Sequence, residues 1–398
     1  MGDASQVSLF VAPEATFGTN PGTGFQQLRF NNEGLKHAQG TLESGEINPT
    51  RQPPGSLRIS RSAEGPITCE DSLITPAATP TGFDMLIKAA MMSAWSTIIA
   101  LTGKALTISG ASGGTFTVTD AGTTAAFTNA VKGQWLKLGL LATNGTVYAH
   151  ITAKTSNDII VCEGVRSSGV AVTNEVATGC TVGGSMIRIG NTRNSLSIEK
   201  KYGDLTVIEY SLLLGGLVSQ WSLGIGAQQA MQHNWTILGQ LYATLAGSSG
   251  AGSPAAIWST PHVTAAFDYY MKMEGVFTAL SAHRIAEINF SLDNRPRLDF
   301  EVGSITPQVG IGTPRLTGSY NVFMDDAALE RKLEAGTASK LCYRQNDGTR
   351  DRIITFQNIK YTDGGATAGG NDQAVTQTLN WSAEPDADGV SFQIDRMG

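Results

Sequence analysis

One order of elements can be read twice along this chain, and that repetition constrains the fold more than any single motif. The later occurrence reads as a strand (316–324), a short helix (326–335), a strand (340–345), an Asn346-Asp347-Gly348 turn, a strand (352–361), a glycine pair and a strand (375–382). The earlier one reads as a strand (57–67), a helix (83–95), a strand (195–201), a Gly203-Asp204 turn, a strand (206–214) and a glycine pair. Each copy follows a long polar loop, 31–54 and 293–314. Gly45-Glu46-Ile47-Asn48-Pro49 stands in the first loop where Gly303-Ser304-Ile305-Thr306-Pro307 stands in the second. Residue by residue the match is modest, with 198–204 set against 341–347 and 207–216 against 353–365. The order of element types carries it.

Local patterning supports these assignments. Leu57-Arg58-Ile59-Ser60-Arg61 alternates at period two, as a half-buried strand does. Thr81 is placed to cap a helix whose apolar stripe is Phe83, Leu86, Ile87, Ala90, Met91, Ala94 and Trp95. Either Asp325 or Asp326 can cap the second helix; Leu329 and Leu333 form an i, i+4 pair, and Gly336 fits the position after the last turn. Only 16% of residues are charged and 46 of 398 are glycine. Both depart from typical usage toward many short strands and turns, which gives a mainly β class.

Two β units, each with one short helix, are expected in tandem. Residues 1–96 and 188–240 form a discontinuous first unit that begins with a poorly patterned arm over 1–30. Strands near 218–225 and 233–238 close that unit. A small inserted β-barrel or sandwich spans 97–187, with strands near 106–109, 115–119, 134–138, 147–153 and 159–162 and a hairpin signal at Asn144-Gly145. This insertion is able to fold alone. A small-residue linker follows over 241–262, and 263–398 form the second unit, opening with strands over 263–273, 275–279 and 285–292.

Chemistry is not visible. The net charge of −6 and pI near 5.4 come with no run of basic residues of the kind that binds nucleic acid. Cys69, Cys162, Cys180 and Cys342 lie far apart without a C-x-x-C, which points to reduced, buried thiols. No basic segment followed by an apolar run opens the chain, and the apolar stretch 83–101 contains Asp84 and Lys88 and falls short of a membrane span. Gly224-Ile225-Gly226 has the outline of a dinucleotide fingerprint but no acidic residue about twenty positions on. His37, His150, His233, His262 and His283 are dispersed, each better read as a satisfied side chain than a ligand. No serine sits in a hydrolase-like context. Catalytic residues, metal ligands and cofactors are expected to be none.

Further stretches stand out: Ala12-Pro13-Glu14-Ala15-Thr16-Phe17-Gly18-Thr19, Glu43-Ser44-Gly45-Glu46-Ile47 with Arg51, Gly82-Phe83-Asp84-Met85-Leu86, Ser195-Leu196-Ser197-Ile198-Glu199-Lys200, Thr317-Gly318-Ser319-Tyr320 and Gly133-Gln134-Trp135-Leu136-Lys137-Leu138. In these the chain resembles the tail tube (major tail) proteins of long-tailed bacteriophages, the last stretch being similar to an inserted module of some members. The resemblance implies tandem tail-tube-type β-barrel or sandwich units and a structural virion protein, made in the host cytoplasm. It further implies stacked rings forming the conduit for DNA ejection, meeting a tape-measure protein and tail terminator or distal tail proteins. Double-stranded DNA would pass without specific binding. If a ring needs about six units, a two-unit chain gives a homotrimer of pseudo-sixfold symmetry, with a homohexamer as the alternative. Candidate contacts between subunits or rings are Glu43, Glu46, Arg51, Arg295, Arg297 and Asp299 in the two long loops, and the insertion would project outward. The competing reading is a monomeric carbohydrate-binding or adhesive module, which would need exposed aromatics. Trp135, Trp221, Trp235 and Trp381 instead sit in strand patterns where burial is the simpler expectation.

Overall fold

The computed structural model describes residues 3–45, 52, 55–73, 80–112, 114–255, 271–275, 277 and 283–398. Strand makes up 56% and the described residues hold two α-helices, so the class is mainly β, as expected. The chain opens with β1 (Val7–Pro13), β2 (Gln26–Leu28), β3 (Asn32–Glu33), β4 (Lys36–Glu43), β5 (Ser56–Glu70) and helix α1 (Gly82–Met91). It continues with β6 (Ile99–Ser112), β7 (Thr115–Asp120), β8 (Trp135–Leu141), β9 (Gly145–Lys154), β10 (Ile159–Arg166) and β11 (Glu175–Arg188). Next come β12 (Leu196–Tyr202), β13 (Glu209–Gly226), β14 (Gln232–Gly239), β15 (Leu241–Ala246), β16 (Met271–Glu274), β17 (Ile285–Asp293), β18 (Arg297–Asp299) and β19 (Gln308–Gly310). Last are β20 (Arg315–Phe323), α2 (Ala328–Ala335), β21 (Ser339–Asn346), β22 (Asp351–Thr367), β23 (Thr376–Ala383) and β24 (Phe392–Met397).

The same pairing path is traced twice. In the first half it runs β1–β12–β13–β14–β5–β4 and in the second β16–β21–β22–β23–β20–β17, all antiparallel. Even the register shifts coincide. One falls between Leu196 and Ile198 and again between Ser339 and Leu341; another falls between Val218 and Gln220 and again between Tyr361 and Asp363. Matching those bulges sets Gly65 on Gly318. A Cβ at Gly318 would lie 2.1 Å from a Trp381 ring atom, and one at Gly65 would lie 2.2 Å from the Gly34 carbonyl oxygen. Each glycine leaves room for close approach of a neighbour. The glycine pairs singled out in the sequence do not correspond to each other. Gly215 (φ 64°) turns β13 from one sheet into the next, whereas Gly364 and Gly365 lie in the far half of β22.

The two halves are joined edge to edge. Residues Gln220–Gly226 of β13 take β14 on one side and β17 on the other, in the register Gln220↔Asp293 to Gly226↔Glu287. The result is an eight-stranded run, β4–β5–β14–β13–β17–β20–β23–β22. One face is apolar and packs under α1 as a core shared by both halves. There Trp221 and Trp235 stack at 4.9 Å, with Phe290, Phe356 and Phe392 alongside. Burial of such rings, not helix content, holds the fold together.

Residues 99–188 close into a separate six-stranded barrel, β6–β7–β10–β9–β8–β11, with its own core. The closing strand β11 was not legible in the sequence because Gly, Ala and Thr interrupt its alternation. The Asn144-Gly145 hairpin forms, but with a three-residue connection between Leu141 and Gly145. The Asn144 amide is drawn instead to Thr173 and the Glu175 carboxylate. The barrel is not simply an appendage. β11 runs on to pair with β24, and the Trp135 indole N–H donates to Thr355 (3.0 Å) while its backbone N–H donates to Asp395 (3.0 Å). Lys137 pairs with Asp351 at 2.7 Å.

Several boundaries differ from expectation. The arm over 1–30 contains β1, whose Leu9, Val11 and Ala12 are wholly buried between β2 and β12. The 31–54 loop contains β4, polar because it is an edge strand with mostly exposed side chains. Its partner segment Leu57–Ile59 is exposed and not half-buried; burial in β5 begins near Ser62. Residues 206–226 hold one long strand where two were expected. The first helix ends at Met91 because Met92 turns left-handed (φ 47°), and Trp95 lies under the Arg396 guanidinium at 3.9 Å. The supposed linker begins with β15, paired along β13. Strand expectations over 263–270 and 278–279 lie outside the described residues.

Candidate assembly surface and channel face

One group of titratable side chains lies where solvent does not reach. The Trp221 indole N–H donates to His233 Nδ1 (2.9 Å), which leaves the His233 proton on Nε2, facing Asp71 Oδ1 at 3.2 Å. Asp71 also accepts from Gln345 (2.9 Å) and from Arg352, so a strictly interior network ties the two halves. Burial would raise the Asp71 carboxyl, but Arg352 and His233 together hold it below its ordinary value; burial pushes His233 down and keeps it neutral. Both side chains of this histidine–carboxylate pair are wholly buried. The four cysteines are buried, and burial raises Cys69 to about 12. Gly224 and Gly226 are strand residues in register with β14 and β17, not the strand-to-helix turn a dinucleotide site needs. Among the described residues, no group of three or more His, Cys, Asp or Glu could hold a metal ion, and no helix is long and apolar enough to cross a membrane.

The second face of the eight-stranded run is polar. Along β13, Trp221, Leu223 and Ile225 are buried while Gln220, Ser222 and Gly224 face outward; along β14, His233, Trp235 and Ile237 alternate with Asn234 and Thr236. The same alternation puts Asn289 and Ser291, Thr317 and Ser319, and Asn380 and Ser382 on that face. A hollow of about 610 Å³ lies over it, lined among others by Ser222, Asn234, Asn289, Ser319 and Asn380. Glu64, Glu70, Glu287 and Asp293 share the face with Arg315 and Lys36. A surface of short amides and hydroxyls that leans acidic gives a phosphate backbone no cluster of cations to hold. None of these residues was read in the sequence as part of a polar sheet face, although the period-two alternation in 220–226 and 232–237 carries the signal.

The distal ends of the two long hairpins are the second feature. Glu43 ends β4 and is exposed. Arg297 and Asp299 are brought together at 3.0 Å in the small β18–β19 hairpin, and Arg295 pairs with Asp293 at 3.5 Å; these pairs are local and exposed. Glu46 and Arg51 lie outside the described residues. The two hairpins touch where the Arg61 N–H donates to the Ile305 carbonyl (2.8 Å). Large apolar side chains stand exposed on both: Leu42, Leu57 and Ile59 on one, Phe300, Val302 and Ile305 on the other. Exposed apolar clusters of this kind mark contact surfaces.

The third feature is an open edge. Residues Asp363–Thr367 of β22 pair with β23 on one side, their side chains are exposed, and among the described residues no strand pairs with their other side. A flat row of unpaired backbone groups is a template for another chain. Buried charges, a polar sheet face and an open edge suit a wall. A family model described as phage tail tube protein matches residues 4–383, nearly the whole chain. No curated protein matches the chain. The chain belongs to the phage tail tube protein family.

Proposed function

We propose that this structural tail tube protein closes into homotrimeric rings of pseudo-sixfold symmetry, which stack into the conduit for DNA ejection. The observation that carries this reading is the in-chain β13–β17 junction, which sets two equivalent four-stranded segments side by side in one sheet. Three chains would supply about 24 strands. At about 4.8 Å between strands and a tilt of about 40°, they enclose a backbone diameter of about 48 Å, enough for a duplex once side chains are subtracted. Six chains would double that, to about 96 Å, and leave a bore far wider than a duplex needs. Ring closure requires head-to-tail contacts between unlike surfaces, and the two ends of the eight-stranded run are unlike.

In this arrangement the Asn, Ser and Thr face lines the channel and the tryptophan core lies behind it. The hairpin ends with Leu57, Ile59, Phe300 and Val302 reach the neighbouring ring, together with Glu43, Arg295, Arg297 and Asp299. Tape-measure and tail-end proteins meet the same surfaces at the tube's interior and termini. The sugar-binding alternative is disfavoured by burial of Trp135, Trp221, Trp235 and Trp381, each no more than 1% exposed. Electron microscopy and sedimentation of the purified chain at increasing concentration test the proposal. Rings or tubes are expected; monodisperse monomers throughout would refute it.

A further inference from the structure

We infer that neighbouring copies join through β22 of one chain and the β3–β4 edge of the next, in the register of the in-chain β13–β17 junction. This rests on the ring reading above. The matched bulges set Gln220 on Asp363, Trp221 on Gly364, Ser222 on Gly365 and Leu223 on Ala366. The matched glycines set Ser291 on Lys36 and Phe290 on Leu35, because Ser291 and Phe290 face Thr317 and Gly318 as Lys36 faces Glu64 and Leu35 follows next to Gly65. In the first half, the β13 edge is covered by β17, and Trp221, Leu223 and Ile225 are buried. In the second half, the equivalent residues Gly364 to Thr367 are exposed, with no lysine or proline to discourage pairing. The occupant that fits is a second copy of this chain, because the covering strand of the junction has its counterpart at the far end of the same eight-stranded run.

Transferring the register pairs Gly365 with Lys36 of the next copy and Ala366 with its Leu35, a buried side chain as Phe290 is. One side-chain contact transfers too. The Gln220 amide donates to Ser291 Oγ at 2.9 Å across the in-chain junction. The counterparts of these two residues are Asp363 and Lys36, so an opposite-charge pair forms diagonally across the seam. Lys36 is free to move there: its present partner Glu64 is 3.3 Å away and both side chains are solvent-exposed.

Charge reversal and cross-linking test the seam on the full chain. Asp363→Lys is expected to cut ring and tube formation at least tenfold while leaving the circular dichroism spectrum unchanged, and Asp363→Lys with Lys36→Asp to restore it. A chain carrying Gly365→Cys and Lys36→Cys, oxidised after assembly, is expected to run as covalent dimers and trimers on a non-reducing gel. Either single cysteine should stay monomeric, since the native thiols are buried. Rings that form normally in Asp363→Lys and in the double-cysteine chain without cross-linking would overturn the seam and leave the ring reading intact. A wild-type chain that never assembles would overturn the ring reading itself.

Discussion

Removing the Asp71 carboxylate tests how the two halves are held together. Asp71 belongs to the first half and Arg352 to the second, and their side chains are 0% and 6% exposed. Asp71→Ala strands the Arg352 guanidinium, the His233 Nε2 proton and the Gln345 amide away from water. Leaving a buried charge without its partner costs about 3–5 kcal/mol, so a loss of about 4 kcal/mol is expected. Asp71→Asn with Arg352→Met removes both charges while the amide still accepts from His233, and should cost less than about 2 kcal/mol. Urea unfolding of unassembled chain at pH 7.5, followed by tryptophan fluorescence and far-ultraviolet circular dichroism, measures both. A loss below about 1 kcal/mol for Asp71→Ala, or a double variant as damaged as the sum of its singles, would refute the account. The pH dependence has a fixed sign. Asp71 and His233 are both held below their ordinary values of 3.8 and 6.5, so the folded chain binds fewer protons than the unfolded one. Their stabilisation is present above pH 6.5, declines as His233 takes up its proton in the unfolded state, and falls again below pH 3.8.

Asp395 behaves oppositely: burial raises it to about 8, so its contribution is lost as pH rises from about 4 through 8. Asp395→Asn should therefore raise the unfolding midpoint at pH 8.5 and leave it little changed near pH 4; thermal scans showing a lower midpoint at both would contradict this. Gly318→Ala drives a methyl to 2.1 Å from Trp381 and should cost about 3 kcal/mol or abolish folding, whereas Gly365→Ala meets nothing within 4 Å and should leave the subunit's unfolding midpoint unchanged. The barrel 97–188, expressed alone, should give a cooperative thermal transition because its core is its own. The chain lacking 99–183 should melt earlier than the intact one, since Asp351, Asp395 and Met397 lose their cover; equal midpoints would show that the barrel only hangs by its ends.

What the sequence conveyed was order, and what it withheld was partnership. The strands 316–324 and 375–382 were legible because each alternates at period two, and 340–345 because the apolar run Leu341-Cys342-Tyr343 leads into the Asn346-Asp347-Gly348 turn. So were both helix slots: Thr81 accepts from the Asp84 N–H at 3.3 Å, and Gly336 takes the left-handed position after α2. β1 was hidden because Leu9, Phe10, Val11 and Ala12 form a short apolar run without periodicity. β11 was hidden by its glycines, and β24 because Asp395 and Arg396 read as surface residues until their partners Trp135 and Asp84 are known. Registers are set by bulges, which leave no local trace; hence Gly215-Gly216 was matched to Gly364-Gly365 when the true counterpart of Gly364 is Trp221. The candidate charges Glu43, Arg295, Arg297 and Asp299 were visible as a loop cluster. The exposed Leu57, Ile59, Phe300 and Val302 beside them were not, since apolar residues in a strand pattern are ordinarily taken to face a core.

The number of chains in one ring tests the central claim most directly. Cryo-electron microscopy of the assembled tube should resolve three chains per ring and six similar wall segments, with in-chain β13–β17 seams alternating with seams between β22 and the next copy's β3–β4 edge. Six chains per ring, or wall segments that do not follow the twice-repeated strand path, would contradict it.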